Sequence, residues 1–312
     1  MRKIGFILIA AMLISSVTMA QEVTPFAEFP EGIFFDDFSY TGTDDPAFTD
    51  NGWIVRTAEG WPGVPGAFWN PDGVTVIDDP DQEGNRLMQM ISTTDGREAN
   101  TTQTQFCQQR KFLEGTYAAL VRFSDAPESG LDGDQIVQTF YAISPLAFEL
   151  DPDYSELDFE YLPNGGWGAP RNTLFATSWE TFRPDPNWLA INSSSTRQGS
   201  LADGWHLLTM QVVDDTITYY VDDELLGEHD SEFFPEVPMS INFNLWFING
   251  GLNAQGQERA YVEQIDWTLH VQNVALTPEE VLASVANYRA SEIAFVDGVP
   301  TGGEVLESPC NF

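Results

Sequence analysis

Apolar and polar positions alternate with period two over many short stretches of the chain. This is the pattern of half-buried β-strands, in which successive side chains point to opposite faces. It predicts strands over Phe34–Phe38, Arg86–Ile91, Phe112–Val121, Gln135–Ala142, Ser155–Tyr161, Leu174–Trp179, Pro238–Trp246 and Ile265–Val271. Asp203–Val213 and Thr216–Asp223 form a further pair, joined by the turn Asp214-Asp215, and read as a hairpin. Helical spacing comes late, over Val281–Ala290, after Thr277 as N-cap and Pro278 at the first helical position. The chain is therefore all-β with a short C-terminal helix. No repeat or linker divides it, so the organisation expected is one domain over 21–274 and a helix and tail over 275–312.

One strand breaks the usual rule for its polar face. In Ser155–Tyr161 the residues Leu157, Phe159 and Tyr161 share one face, and Glu156, Asp158 and Glu160 share the other. Three acids in a row repel one another, which costs stability and points to use. At ~3.3 Å per residue, Glu156 and Glu160 have Cα atoms about 13 Å apart. Side chains leaning together close that toward the ~5–5.5 Å carboxyl gap of retaining glycosidases. Asp158 between them helps keep one neighbour protonated, as a general acid must be.

The run Glu156-Leu157-Asp158-Phe159-Glu160 resembles the E-x-D-x-E signature of glycoside hydrolase family sixteen, the lichenase, laminarinase and xyloglucan-transglycosylase group. The resemblance extends in order from Phe34 to Val271. It includes Phe34-Phe35-Asp36-Asp37-Phe38, the 203–223 hairpin, Pro238–Trp246 and Ile265–Val271. It implies a β-jelly-roll sandwich of two curved antiparallel sheets with an open cleft. Glu156 would be the nucleophile, Asp158 its assistant and Glu160 the acid/base. Asn244 and Trp246 would bind sugar beside the nucleophile, with Trp179 and Trp167 as further substrate-binding residues. The resemblance also implies a structural calcium at Asp266, since oxygen ligands suit that ion, and no cofactor for catalysis. The chain departs from the family at Ala118, where a Glu is usual, which bears on one sugar contact. The activity implied is endo-hydrolysis of β-glucan, mixed-linkage β-1,3-1,4 or β-1,3. The alternatives are a lectin-like binding module with the same sandwich, or a xyloglucan-type transglycosylase with the same residues.

Other segments refine this picture. Trp53 to Trp69 holds three tryptophans and the turns Pro62-Gly63 and Pro65-Gly66, and reads as a long surface loop whose rings either stack on sugar or cover a sheet edge. Asp79–Gly84 imitates an EF-hand start, but Met90 stands at the twelfth position where Glu is needed. His206 has no Ser or Cys elbow and no second His nearby, so a structural role is expected.

Arg2 and Lys3 precede the apolar run Ile4–Ile14 and small residues up to Ala20, a signal peptide over 1–20 that directs the protein outside the cytoplasm, to the medium or the periplasm. The whole chain carries a formal charge of −35; losing two basic residues with this segment gives −37. Such a charge disfavours nucleic acid, anionic membranes and anionic polysaccharides, and suits an extended neutral polysaccharide bound by a monomer. In an exported protein Cys107 and Cys310 either pair, pinning the tail to the sheet, or remain thiols.

Overall fold

Inward-facing aromatic and aliphatic side chains sort the strands into two sheets packed face to face. The computed structural model describes residues 31–303, 305–308 and 310, so the expected signal peptide lies outside the described residues. In chain order the strands are β1 (Ile33–Asp36), β2 (Ile54–Val55), β3 (Phe68–Trp69), β4 (Val74–Asp78), β5 (Arg86–Thr94), β6 (Thr102–Cys107), β7 (Gly115–Arg122), β8 (Ile136–Ile143) and β9 (Glu156–Leu162). They continue as β10 (Thr173–Arg183), β11 (Leu189–Gln198), β12 (His206–Val213), β13 (Thr216–Val221), β14 (Glu224–His229), β15 (Ser240–Phe247), β16 (Arg259–Gln272) and β17 (Phe295–Asp297). The helices are α1 (Pro46–Asp50) and α2 (Pro278–Ala290).

One sheet runs β14-β13-β12-β7-β16-β1-β17, with β5 on β16 and β4 on β5. The other runs β11-β10-β9-β8-β15-β6-β2, with β3 on β6. Strand pairing is antiparallel apart from the short β3–β6 contact. The result is a jelly-roll sandwich with a short helix at its C-terminal end.

A row of aromatic rings fixes the register of the second sheet. Phe159 lies opposite Phe140, Phe140 opposite Phe243, and Phe243 opposite Phe106. Their ring centroids are 6.4, 5.2 and 4.9 Å apart, and all four face the core between the sheets. Because side chains alternate, a one-residue slip of any of these strands would turn its ring out to solvent.

The outer face of the first sheet carries a second core, covered by α2. Val281, Val285 and Tyr288 of the helix pack on Phe35, Ala118, Trp267 and Leu269. Thr277 and Glu280 close a capping box at its start, as the sequence predicted for Thr277. Ala118 belongs to this core and not to the sugar-facing sheet, so its departure from the family pattern removes no contact from the cleft. His206 bonds Asp222 and Asp203 on the first sheet, a structural role. Cys107 and Cys310 form a disulfide, which ties the C-terminal tail to β6.

At Asp266, where the resemblance implies a calcium, the carboxylate is bonded by side chains of the protein itself. Arg289, in the last turn of α2, donates to both Asp266 carboxylate oxygens at 3.0 and 2.7 Å, and Asn85 donates to one of them at 2.8 Å. A guanidinium thus does the electrostatic work of a cation there. Among the described residues no group of three or more His, Cys, Asp or Glu is gathered to hold a metal. Arg289→Ala would strand a buried carboxylate and is expected to cost about 2–3 kcal/mol, less than a fully buried pair because Arg289 is partly exposed. Thermal unfolding of the variant checks this, and a Tm equal to that of wild type would contradict it.

Candidate active site

The outer face of the second sheet is the polar counterpart of the aromatic row. On β9, Glu156, Asp158 and Glu160 point away from the core, while Leu157, Phe159 and Tyr161 point into it. The flanking strands add their own outward residues in register. Thr177 and Tyr141 lie on either side of Asp158, and Phe175 and Thr139 on either side of Glu160. Asn244 lies beyond Thr139, on β15. Together these residues floor a cleft of about 740 Å³.

The three acids are held differently. Asp158 is buried, whereas Glu156 and Glu160 are partly open to the cleft. Trp179 Nε1 donates to Asp158 at 2.8 Å, and Asp158 shares a hydrogen bond with Glu156. The Tyr154 hydroxyl donates to Glu156 from the same face of the chain, two residues earlier. Burial pushes all three carboxyls up. At Asp158 the charges of Glu156 and Glu160 add to its desolvation. For Glu160 the charge of Glu156 is the second cause. The hydrogen bonds from Tyr154 and Asp158 work the other way at Glu156 and favour its ionised form. The hydrogen bonds therefore favour the anion at Glu156 relative to its two neighbours, where like charge adds to burial.

The four expected substrate-binding residues all line this cleft. Asn244 is fixed at both ends of its amide: Thr139 Oγ1 donates to its Oδ1 at 2.7 Å, and its Nδ2 donates to the Tyr141 hydroxyl at 3.1 Å. Trp246 is mostly buried and meets the exposed Trp167, with centroids 5.9 Å apart. Trp179 both borders the cleft and holds Asp158. The 53–69 segment divides the expectations made for it. Trp53 and Trp69 are fully buried, their indole N–H groups donating to Asp36 and to the Gly60 carbonyl, while Trp61 is exposed at the cleft.

Sequence reasoning missed Tyr154, Tyr141, Thr139, Gln105 and Arg56. Tyr154 was within reach, since it sits at the same-face spacing from Glu156. Thr139 and Tyr141 come from β8, Gln105 from β6 and Arg56 from just after β2, and only the register of the sheet brings them in.

No family model matches the chain, and no curated protein matches it. Solved structures do. The β-glucanase of Bacillus licheniformis superposes with a TM-score of 0.54 at 15% identity, covering 77% of this chain and 98% of that one. A glycoside hydrolase family 16 endo-glucanase from Bacteroides ovatus gives 0.56 at 16%, covering 75% and 98%. The chain has the jelly-roll fold of these hydrolases. The same fold also matches a galactohydrolase named for a galactose-4-sulfate polymer, with a TM-score of 0.53 at 16% identity over 80% and 98%. The fold thus comes with more than one kind of sugar, and the cleft side chains must decide which.

Carboxyls raised by folding make stability depend on pH with a definite sign. Above about pH 4 the unfolded chain releases protons that the native site retains, so stability falls as pH rises toward the folded values. Glu160→Gln removes one such group. It is expected to raise Tm at pH 8 and to leave it nearly unchanged at pH 4.5, where the wild-type carboxyl is protonated in the folded protein. Equal shifts at both pH values, measured by calorimetry, would contradict the assignment.

Proposed function

We propose that the protein is a retaining, endo-acting glycoside hydrolase of neutral β-glucan, mixed-linkage β-1,3-1,4 or β-1,3. The observation that carries this reading is the acid row on the cleft floor, with one carboxyl favoured as an anion and its neighbours favoured as acids. A binding module needs none of these three desolvated groups, and their mutual repulsion would be a cost without return.

The mechanism follows from their environments. Glu156 attacks the anomeric carbon as the glycosidic bond breaks, and Glu160 gives its proton to the departing oxygen. The covalent glycosyl ester on Glu156 is then attacked by water. Glu160, now ionised, takes a proton from that water, and Glu156 is released as a carboxylate. Asp158 donates a hydrogen bond to Glu156 and keeps it oriented, while Trp179 and Tyr154 hold the pair in place. Trp246 and Trp167 offer aromatic faces to a sugar ring, and Asn244 has a fixed amide for a hydroxyl.

Neutral substrate is supported by the chain's charge, since sulfated or uronic polymers would be repelled by a protein of −35. Export is supported by the Arg2-to-Ala20 pattern. Among the described residues no helix is long and apolar enough to cross a membrane. We read the protein as acting as a monomer outside the cytoplasm.

The test is reducing-sugar release from laminarin, lichenan, barley glucan and xyloglucan. Wild type is expected to release sugar from at least one of the first three. Glu156→Gln should show no turnover, and Glu160→Gln should lose about 10²–10⁴-fold, the usual worth of a positioned acid. Both variants should keep the wild-type fold. Turnover that survives Glu156→Gln would sink the mechanism. The pH profile gives a second check: kcat/KM should fall on the alkaline side as Glu160 loses its proton, and this limb should vanish in Glu160→Gln.

A further inference from the structure

Two exposed indoles remain at the cleft that the mechanism does not use. Trp61 is 64% exposed and Trp188 is 51% exposed, and both line the same cleft as the acid row. They come from opposite borders of the second sheet. Trp61 sits on the segment after β2 at one edge, and Trp188 immediately precedes β11 at the other. Their rings nonetheless join through Phe182, at centroid distances of 5.9 Å from Trp61 and 5.6 Å from Trp188. Trp188 also meets Trp179 at 6.2 Å.

Local structure presents these rings rather than leaving them loose. The pairing of β10 with β11 shifts register between Trp179 and Thr181. Such a bulge re-aims the residues after it, and it lets Phe182 face the cleft although it stands at odd spacing from Trp179. The Trp61 segment is pinned from below. Arg56 donates to the Trp61 and Ala58 carbonyls at 3.0 Å each, and Trp69 donates to the Gly60 carbonyl at 2.9 Å. The Arg56 guanidinium itself lies 3.9 Å over the Trp69 ring. Gln103 receives the Val64 amide and donates to the Pro62 carbonyl. A backbone tied at the carbonyls of Ala58, Gly60, Trp61 and Pro62 costs little further entropy when a ligand docks on the Trp61 ring.

We propose that Trp61, Phe182 and Trp188 form a stacking wall that binds neutral hexopyranose units of the glucan beyond those at the scissile bond. Pyranose rings carry apolar C–H faces that pack on aromatic rings, with hydroxyls at their rims. Asn192 and Ser194 of β11 line the cleft beside the wall as hydrogen-bonding partners for those hydroxyls. Asp185 lines it too, which disfavours sulfate or uronate at this position. Continuity with the cleft makes the occupant the same chain whose bond is cut, and the wall therefore selects for chain length. This rests on the carbohydrate reading of the cleft given above.

The experiment measures binding without turnover, in the Glu156→Gln protein. Calorimetric titration with mixed-linkage glucan oligosaccharides of three and six residues is compared among the parent, Trp61→Ala, Trp188→Ala and both together. Each single change is expected to weaken hexasaccharide binding about tenfold and to leave the trisaccharide nearly unaffected. Both indoles are solvent-exposed, so the variants should keep the parent Tm. Hexasaccharide binding equal to the parent's, a loss shared equally by both lengths, or a parent that binds neither oligosaccharide would overturn the wall. Hydrolysis by wild type with unchanged binding in the tryptophan variants would sink the wall alone. Tryptophan-dependent binding with no hydrolysis of any glucan would sink the hydrolase reading alone.

Discussion

The site depends on the register of four strands, and the register depends on a row of phenylalanines. Phe106, Phe243, Phe140 and Phe159 stack across the inner face of the second sheet. Each brings its neighbours one position along to the outer face, so Gln105, Asn244, Thr139 and Glu160 form the matching polar row. Burying a ring of this size contributes about 1.5–3 kcal/mol, and a slipped strand would forfeit that while burying an acid. The hydrophobic core thus specifies the candidate site indirectly. It decides which polar residues face each other above it.

That polar row carries a cost. Three carboxyls on one strand face are desolvated and mutually repulsive, and burial raises each of them. The surroundings do not neutralise them with a cation. They supply neutral donors, Tyr154 to Glu156 and Trp179 to Asp158. A lysine or arginine here would settle the charges and leave no group poised to give a proton. Elsewhere the protein does use cations for buried acids. Arg259 pairs with Asp134, and Arg289 with Asp266. The contrast separates acids paired with a cation inside the fold from the acid row at the cleft, which receives only neutral donors.

Much of this was legible along the chain, where the deciding forces are local. The alternation over Ser155–Tyr161 placed the acids on one face, and the cap at Thr277 set the start of α2. Both depend on neighbours within a few residues. What was not legible depends on partners far away. Trp53 and Trp69 look like loop aromatics in sequence, yet Asp36, 17 residues from Trp53, and the folded-back Gly60 bury them. β11 was missed because Asn192–Thr196 is polar on both faces, as an edge strand in solvent can be. Asp266 carried the look of a family calcium ligand, and only the docking of α2 revealed Arg289 beside it. Trp188 gave no periodic signal at all; the β10 bulge and the meeting of two sheet edges give it a place.

In the proposed mechanism Glu156 bonds covalently to the sugar during turnover. This is tested most directly by mass spectrometry of the protein treated with a 2-deoxy-2-fluoro glucan oligosaccharide carrying a good leaving group. The electron-withdrawing fluorine slows both formation and hydrolysis of the glycosyl ester, and the good leaving group restores formation alone, so the ester accumulates. The expected result is one glycosyl unit added per chain, on the peptide containing Glu156 and at that side chain. An adduct at Glu160, or none from a protein that hydrolyses glucan with inversion at the anomeric carbon, would contradict it.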